Sequence, residues 1–228
     1  IVKNTQPNEL DDASGDGIDV EENSIVNLNR VLIEGNRTVG IVTSTYASTA
    51  KAEINVQNII IRNTFEQKSD KTQGLGLWVT ENSNFTITNG LIENNRMYGV
   101  LARTKSSANK TVFKGENLII LDTHSQVSDK TKGVALEINN NVDAEINKIY
   151  VNNSRQSGIG AVTFADETKI NLTIENGYIK ETLPQESDNT SGTGMAFQDN
   201  VTANIKNCFI DKNRFLGIYS AVFSQNYD

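Results

Sequence analysis

GDGIDVEENSIVNLNRVLIEGNRTVG, residues Gly15–Gly40, decides the fold because its pattern returns three more times at a constant offset. Gly15, Gly74, Gly133 and Gly192 each stand 59 residues after the last, and Arg37, Arg96, Arg155 and Arg214 keep the same step, as do Gly40, Gly99, Gly158 and Gly217. No insertion or deletion separates the copies. So strict a period marks a stacked repeat architecture, in which residues a fixed count apart lie over one another.

Within the unit the apolar residues alternate as in strands. Ile18 and Val20, Val26 and Leu28, then Val31 and Ile33 are period-two pairs, and the same slots read Leu77, Val79, Phe85, Ile87, Gly90 and Ile92 in the second copy. The second half of the unit repeats this around Ile41, Ile54, Val56, Ile59 and Ile61. Each unit therefore reads as two turns of chain with three short strands apiece. Helix fails on content, because Asn, Thr and Gly crowd every window and no i, i+3, i+4, i+7 apolar run is sustained. A sandwich would not need an indel-free period. The expected fold is all-β, a parallel β-solenoid of about eight turns in four tandem repeats, near 1–59, 60–118, 119–177 and 178–228, forming one domain. Ile1-Val2-Lys3-Asn4-Thr5 matches Ile60-Ile61-Arg62-Asn63-Thr64, so the pattern is cut at both ends and the chain is expected to belong to a longer one.

A net charge of −7 argues against nucleic acid and anionic bilayers as partners, and no run of residues is apolar enough for membrane insertion. The single cysteine, Cys208, excludes an internal disulfide framework and falls in the slot of Val31, Gly90 and Ile149, where a small buried hydrophobe is expected. The aligned asparagines, Asn23, Asn82, Asn141 and Asn200 in one slot and Asn58, Asn117 and Asn176 in another, suit amide ladders that also satisfy turn backbone. The glycines around each strand pair suit turns of positive φ.

Chemistry is sought where it recurs and where it is singular. The recurring feature is a polar loop, FEQKSDKTQG, HSQVSDKTKG and LPQESDNTSG in copies two to four, with Asp11, Asp70, Asp129 and Asp188 in one slot. These aspartates are the candidate Ca²⁺ ligands. A hard cation wants six to eight converging oxygens, which one carboxylate per loop does not supply, and an Asx turn accounts for the aspartate more simply. The singular feature lies on the outward slots of the stack that begins at Gly17, which read Asp19, Val42, Trp78, Leu101, Glu137, Gly160, Ala196, Tyr219 and then Glu21, Ser44, Thr80, Arg103, Asn139, Val162, Gln198, Ala221. Trp78, Arg103 and Glu137 are the candidate ligand-binding residues, with Arg103 and Glu137 the catalytic candidates. Asp19 and Glu137 are four turns apart, about 19 Å by the turn spacing, too far for the carboxylate pair of glycoside hydrolysis. His124, the sole histidine, reads as a loop residue, and the fourfold arginines read as turn or carboxylate partners.

The pattern G-x-G-[IL]-x-V-x-x-N followed by V-x-I-x-x-[IL]-I-x-x-N-R-x-x-G-[IV], as in Gly74–Val79 and Ile87–Val100, resembles the right-handed parallel β-helix repeat of the pectate-lyase-like superfamily. It is more similar still to bacterial β-helix repeat proteins of unassigned function, and Leu183–Asp188 resembles their S-D loop. The resemblance implies the fold along the whole chain and leaves the chemistry open, since the superfamily holds lyases, hydrolases, adhesins and spacers. The favoured expectation is a non-enzymatic extracellular or surface scaffold, spacer or glycan-binding adhesion module without a cofactor. The alternatives are a carbohydrate-active enzyme or its vestige, and a subunit of a filament that meets neighbouring copies at the solenoid ends.

Overall fold

The computed structural model describes residues 1–222 apart from 8, 11, 46–48, 106–107 and 165–166. Among these the chain forms strands and no helix. They are β1 (Val2–Lys3), β2 (Ile18–Glu21), β3 (Ile25–Glu34), β4 (Val39–Ser44), β5 (Ala52–Arg62), β6 (Leu75–Thr80), β7 (Ser83–Glu93), β8 (Tyr98–Arg103), β9 (Thr111–Leu121), β10 (Val134–Asn139), β11 (Val142–Asn152), β12 (Ser157–Val162), β13 (Ile170–Lys180), β14 (Thr193–Gln198), β15 (Val201–Lys206), β16 (Phe209–Asp211) and β17 (Ile218–Ala221). The odd-numbered strands from β1 to β15 make one sheet, with β16 beside β13. The even-numbered strands and β17 make the other, in the order β17-β14-β12-β10-β8-β6-β4-β2.

Every pairing is parallel, between strands one revolution of chain apart. In the larger sheet Ile33 pairs with Ile61, 28 residues on, and Ile61 with Ile92, 31 further on, which together make 59. In the smaller sheet the steps from Ile41 to Leu77 and from Leu77 to Val100 are 36 and 23. The unequal steps arise because long connections, such as 45–51 and 63–74, alternate with short ones, such as 81–82 and 94–97, from one revolution to the next. The arrangement is consistent with a β-solenoid. Its core lies between the sheets, in columns such as Ile41, Leu77, Val100, Leu136 and Ile159, all 0% exposed.

The expectation of three short strands per revolution needs correction. From β3 to β13 the second and third run on as one strand of ten or eleven residues, bent where Arg30, Asn58, Asn89, Asn117, Lys148 and Asn176 take φ between 53° and 58°, whereas β15 and β16 stay separate. One residue in the left-handed region reverses the inward phase without ending the ladder, so Val56 and Ile59 are both buried while Gln57 and Asn58 are exposed between them. Asparagine is the side chain that tolerates this conformation best, and its amide is used as well. Asn58 Nδ2 donates to Asn29 Oδ1 at 3.1 Å, Asn89 to Asn58 at 3.0 Å and Asn117 to Asn89 at 2.9 Å. This slot forms the expected ladder from Asn58 to Asn117; Lys148 interrupts it, and Asn176 donates to Asn147 at 2.8 Å instead. The other slot forms none: Asn82, Asn141 and Asn200 sit two strands apart and donate instead to the carbonyls of Ala50, Asn109 and Thr168.

The glycines divide into two kinds, where the sequence suggested one. Gly15, Gly74, Gly133 and Gly192 do take positive φ, from 95° to 112°. Gly17, Gly40, Gly76, Gly99, Gly158 and Gly194 do not, and are required by contact instead. A Cβ on Gly40 would lie 2.5 Å from the Gly76 carbonyl oxygen and 2.6 Å from Ile61 Cγ2, and the same two kinds of atom confront Gly99 and Gly158. Ala135 is the member of this column that carries a methyl.

Candidate functional site

The outer face of the smaller sheet is built as the sequence indicated. Asp19 pairs with Val42, Val42 with Trp78, Trp78 with Leu101, Leu101 with Glu137, and Glu137 with Gly160. Trp78, Arg103 and Glu137 thus come from the consecutive strands β6, β8 and β10. They do not surround an open cleft. Val39, Val42, Leu75, Tyr98, Leu101 and Val134 form a second apolar cluster, separate from the main core, with Trp78 and Met97 packed against it. Trp78 is half-buried as the lid of this cluster, and its Nε1 is buried without a hydrogen-bond partner, as is Arg103 Nε.

Glu137 is 7% exposed. Its carboxylate lies over the Cα of Gly160 on the next strand, where any Cβ would collide with Oε2, so the glycine makes the space that the acid fills. The Asn139 amide, oriented with its NH₂ toward acceptors, donates to Glu137 Oε1 at 3.1 Å and to the Ile138 carbonyl at 3.0 Å. Burial dominates and pushes the Glu137 pKa up to about 7, with the charge of Lys132 pulling the other way. Tyr98 is pushed well above its ordinary value by burial first and then by the field of Glu137, against the opposing charge of Arg103. Glu137, which holds its proton near neutrality, and Arg103 thus both act on the Tyr98 hydroxyl, while Lys132 is the charge that acts on Glu137. No second carboxylate occupies the outward slots of β8, β10 or β12.

The sign of the resulting pH dependence follows from linkage. The folded protein binds the Glu137 proton more tightly than the unfolded chain does, so stability is full below about pH 4.5 and declines as pH rises toward 7. The charged carboxylate costs about 3 kcal/mol above that window. Glu137→Gln keeps the shape and the acceptor for Asn139, and is expected to gain about 2–3 kcal/mol over the parent at pH 8 and almost nothing at pH 4.5. Urea unfolding of both proteins at the two pH values measures this; equal curves at pH 8 would mean a solvated or ion-paired Glu137.

The loop aspartates are tied into turns. Asp70 Oδ1 accepts the Thr72 amide at 2.9 Å and its hydroxyl at 2.8 Å, Asp129 does the same with Thr131 and Asp188 with Thr190. Asp11 lies outside the described residues. The loops stack through their backbones: the amide of Ser128 donates to the carbonyl of Lys71 at 3.1 Å, and that of Ser187 to Lys130 at 3.0 Å. Among the described residues no three His, Cys, Asp or Glu side chains come together as a metal site. Arg96 and Arg155 pair with Glu66 at 3.2 Å and Glu186 at 3.3 Å, and each also donates to a loop carbonyl, as Arg37 does to Glu66 O. His124 Nε2 is 2.8 Å from Asn94 Oδ1, and burial lowers its pKa. Cys208 is only partly buried and packs over Gly177.

Two features escaped the sequence reading. Asp16, in the slot held elsewhere by Leu75 and Val134, has its pKa raised to about 6 by burial and by the neighbouring Asp19. The second feature is an outward row on the larger sheet, in which Leu32, Ile60, Leu91, Ile119, Tyr150, Tyr178 and Phe209 are successive partners on seven adjoining strand segments. The signal was present. Runs such as Ile59-Ile60-Ile61 and Leu118-Ile119-Ile120 place an apolar residue where strict alternation calls for a polar one.

The fold and its faces define the class: an all-β chain of parallel sheets, of the kind found in β-solenoids, whose singular residues sit on one sheet face. Comparison with family models, curated proteins and solved structures finds no match to this chain.

Proposed function

We propose that this chain is a right-handed parallel β-helix of the pectate-lyase-like kind, of about eight turns in four repeats, and that it serves outside the cell or on its surface as a scaffold or adhesion module rather than as an enzyme. The observation that supports this reading is where the chemistry-bearing side chains are used. The repeated carboxylates at Asp70, Asp129 and Asp188 each hold a turn, and the singular one, Glu137, is buried without a second acid beside it. Cleavage of a glycosidic bond by the two-carboxylate route needs two acids about 5–10 Å apart around an accessible bond.

The enzyme reading keeps one specific support, the neutral-range pKa of Glu137, one strand away from Arg103. Incubation with a panel of acidic and neutral polysaccharides, followed by measurement of unsaturated and reducing ends, separates the two. The scaffold reading expects none. Ends released by the parent protein and not by Glu137→Gln would replace it with the enzyme reading.

A further inference from the structure

We propose that the outward apolar row from Leu32 to Phe209 is a docking rail for a linear, uncharged polysaccharide. This rests on the scaffold reading above and names what the scaffold holds. The row is exposed in a way its neighbours are not: Ile60, Ile119 and Phe209 are 37%, 41% and 60% exposed, while Ile59 and Ile61 on either side of Ile60 are 1% and 0%. It ends in three rings, with centroids 5.6 Å apart between Tyr150 and Tyr178 and 5.2 Å between Tyr178 and Phe209. The rings are inclined to each other by 63° and 69°, with Lys180 Nζ 5.9 Å from the centroids of both Tyr150 and Tyr178.

Beside this row runs the asparagine ladder. Each amide NH₂ has two hydrogens, of which the ladder takes one, so Asn58, Asn89 and Asn117 keep a second donor toward solvent. Between row and ladder lie two shallow hollows of about 440 Å³ and 350 Å³, the first bounded by Asn89 and Leu91 and the second by Asn176 and Tyr178. An apolar edge beside the amide donors of Asn58, Asn89 and Asn117, followed by Lys148 and Asn176 at the second hollow, complements a sugar chain with its apolar ring faces and its hydroxyl rim.

Size argues against a folded protein or a second copy as the occupant. Six strand intervals by one same-face repeat is about 29 Å by about 7 Å, or roughly 200 Å², a quarter of the ~800 Å² that a stable interface buries on each partner. An extended peptide would dock by adding to a free strand edge, and the row instead crosses strands whose main-chain groups are already paired. Charge is also matched to a neutral ligand, because three cations beside the row are paired: Arg62 with Glu34 at 2.7 Å and Glu93 at 3.5 Å, Lys148 with Glu116 at 3.4 Å and Lys180 with Glu181 at 3.6 Å.

Native electrophoresis through gels containing a soluble linear β-glucan, or polygalacturonate for comparison, tests the proposal. The β-glucan is expected to retard the parent protein, with little dependence on salt. Ile119→Ser/Tyr178→Ser should weaken that retardation at least tenfold at an unchanged circular dichroism spectrum, Ile119→Ser alone by less, and Trp78→Phe should leave it intact. Absence of retardation, retardation by polygalacturonate alone, retardation indifferent to the row, or a row substitution that changes oligomeric state would each overturn the rail. The two failures are distinguishable: missing retardation without released sugar ends removes the rail alone, and released ends remove the scaffold reading whatever the retardation shows.

Discussion

Gly99→Val is expected to destabilise the protein by at least ~3 kcal/mol, toward or beyond the upper end of what overpacking usually costs. The reason is that the position is closed on two sides by atoms that cannot swing away. A Cβ at residue 99 would lie 2.6 Å from the Ala135 carbonyl oxygen on the next strand of the smaller sheet and 2.7 Å from Ile120 Cγ2 in the core. Relieving the first contact means moving a paired strand. Relieving the second means displacing a side chain that is 0% exposed. Because each revolution contacts only its neighbours, the disruption falls on the middle of the stack, where there is no frayed end to absorb it. Gly99→Ala should be milder, since Ala135 shows that the column admits one methyl group. Guanidinium unfolding followed by circular dichroism reads both, and a Val variant within about 0.5 kcal/mol of the parent would mean that the column is not in contact.

Phe113→Ala should cost about 3–5 kcal/mol, the range for deleting a buried ring. Phe113 is 0% exposed and stacks on Phe85 at 6.2 Å with 29° between the planes. Its partner on the other side is Ala144, and beyond that Leu172, so the ring occupies volume that the next strand leaves free. With Ala144 so small, no adjacent side chain can close the hole. The compensating change Ala144→Leu supplies volume from the neighbouring strand and should restore part of the loss in the double variant. The same unfolding measurement tests it. Additive effects of the two substitutions would place residues 113 and 144 in separate environments.

The strict 59-residue step made the stacking legible, because a register error of one residue would turn Ile61, Ile92 and Ile120 out of the core. It also places Trp78, Leu101 and Glu137 as neighbours. What the period does not carry is depth. Nothing in the spacing says that Val39, Leu75, Tyr98 and Val134 close a second cluster under Trp78, since they lie one slot before the strand glycines, where the chain turns. The two duties of glycine were equally hidden, because G-x-G looks the same whether φ or contact demands it. The apolar row at Ile60 and Ile119 was readable and passed over: a run of three branched residues looks like core until the left-handed bend at Asn58 or Asn117 fixes which of the three faces out.

The stacking itself is most directly tested by paired cysteines in a Cys208→Ser background. Leu91 and Ile119 are Cα partners on adjacent strands, 28 residues apart, and both face outward. Ile60 and Ile119 are 59 apart and two strands distant, about 9.6 Å by the strand spacing, beyond the ~7 Å reach of a disulfide. Air oxidation of Leu91→Cys/Ile119→Cys, followed by mass spectrometry of the intact chain, should show the loss of two hydrogens, while Ile60→Cys/Ile119→Cys stays reduced. Ready closure of the second pair, or failure of the first, would contradict the rung-on-rung arrangement from which the core, the buried acid and the rail are all derived.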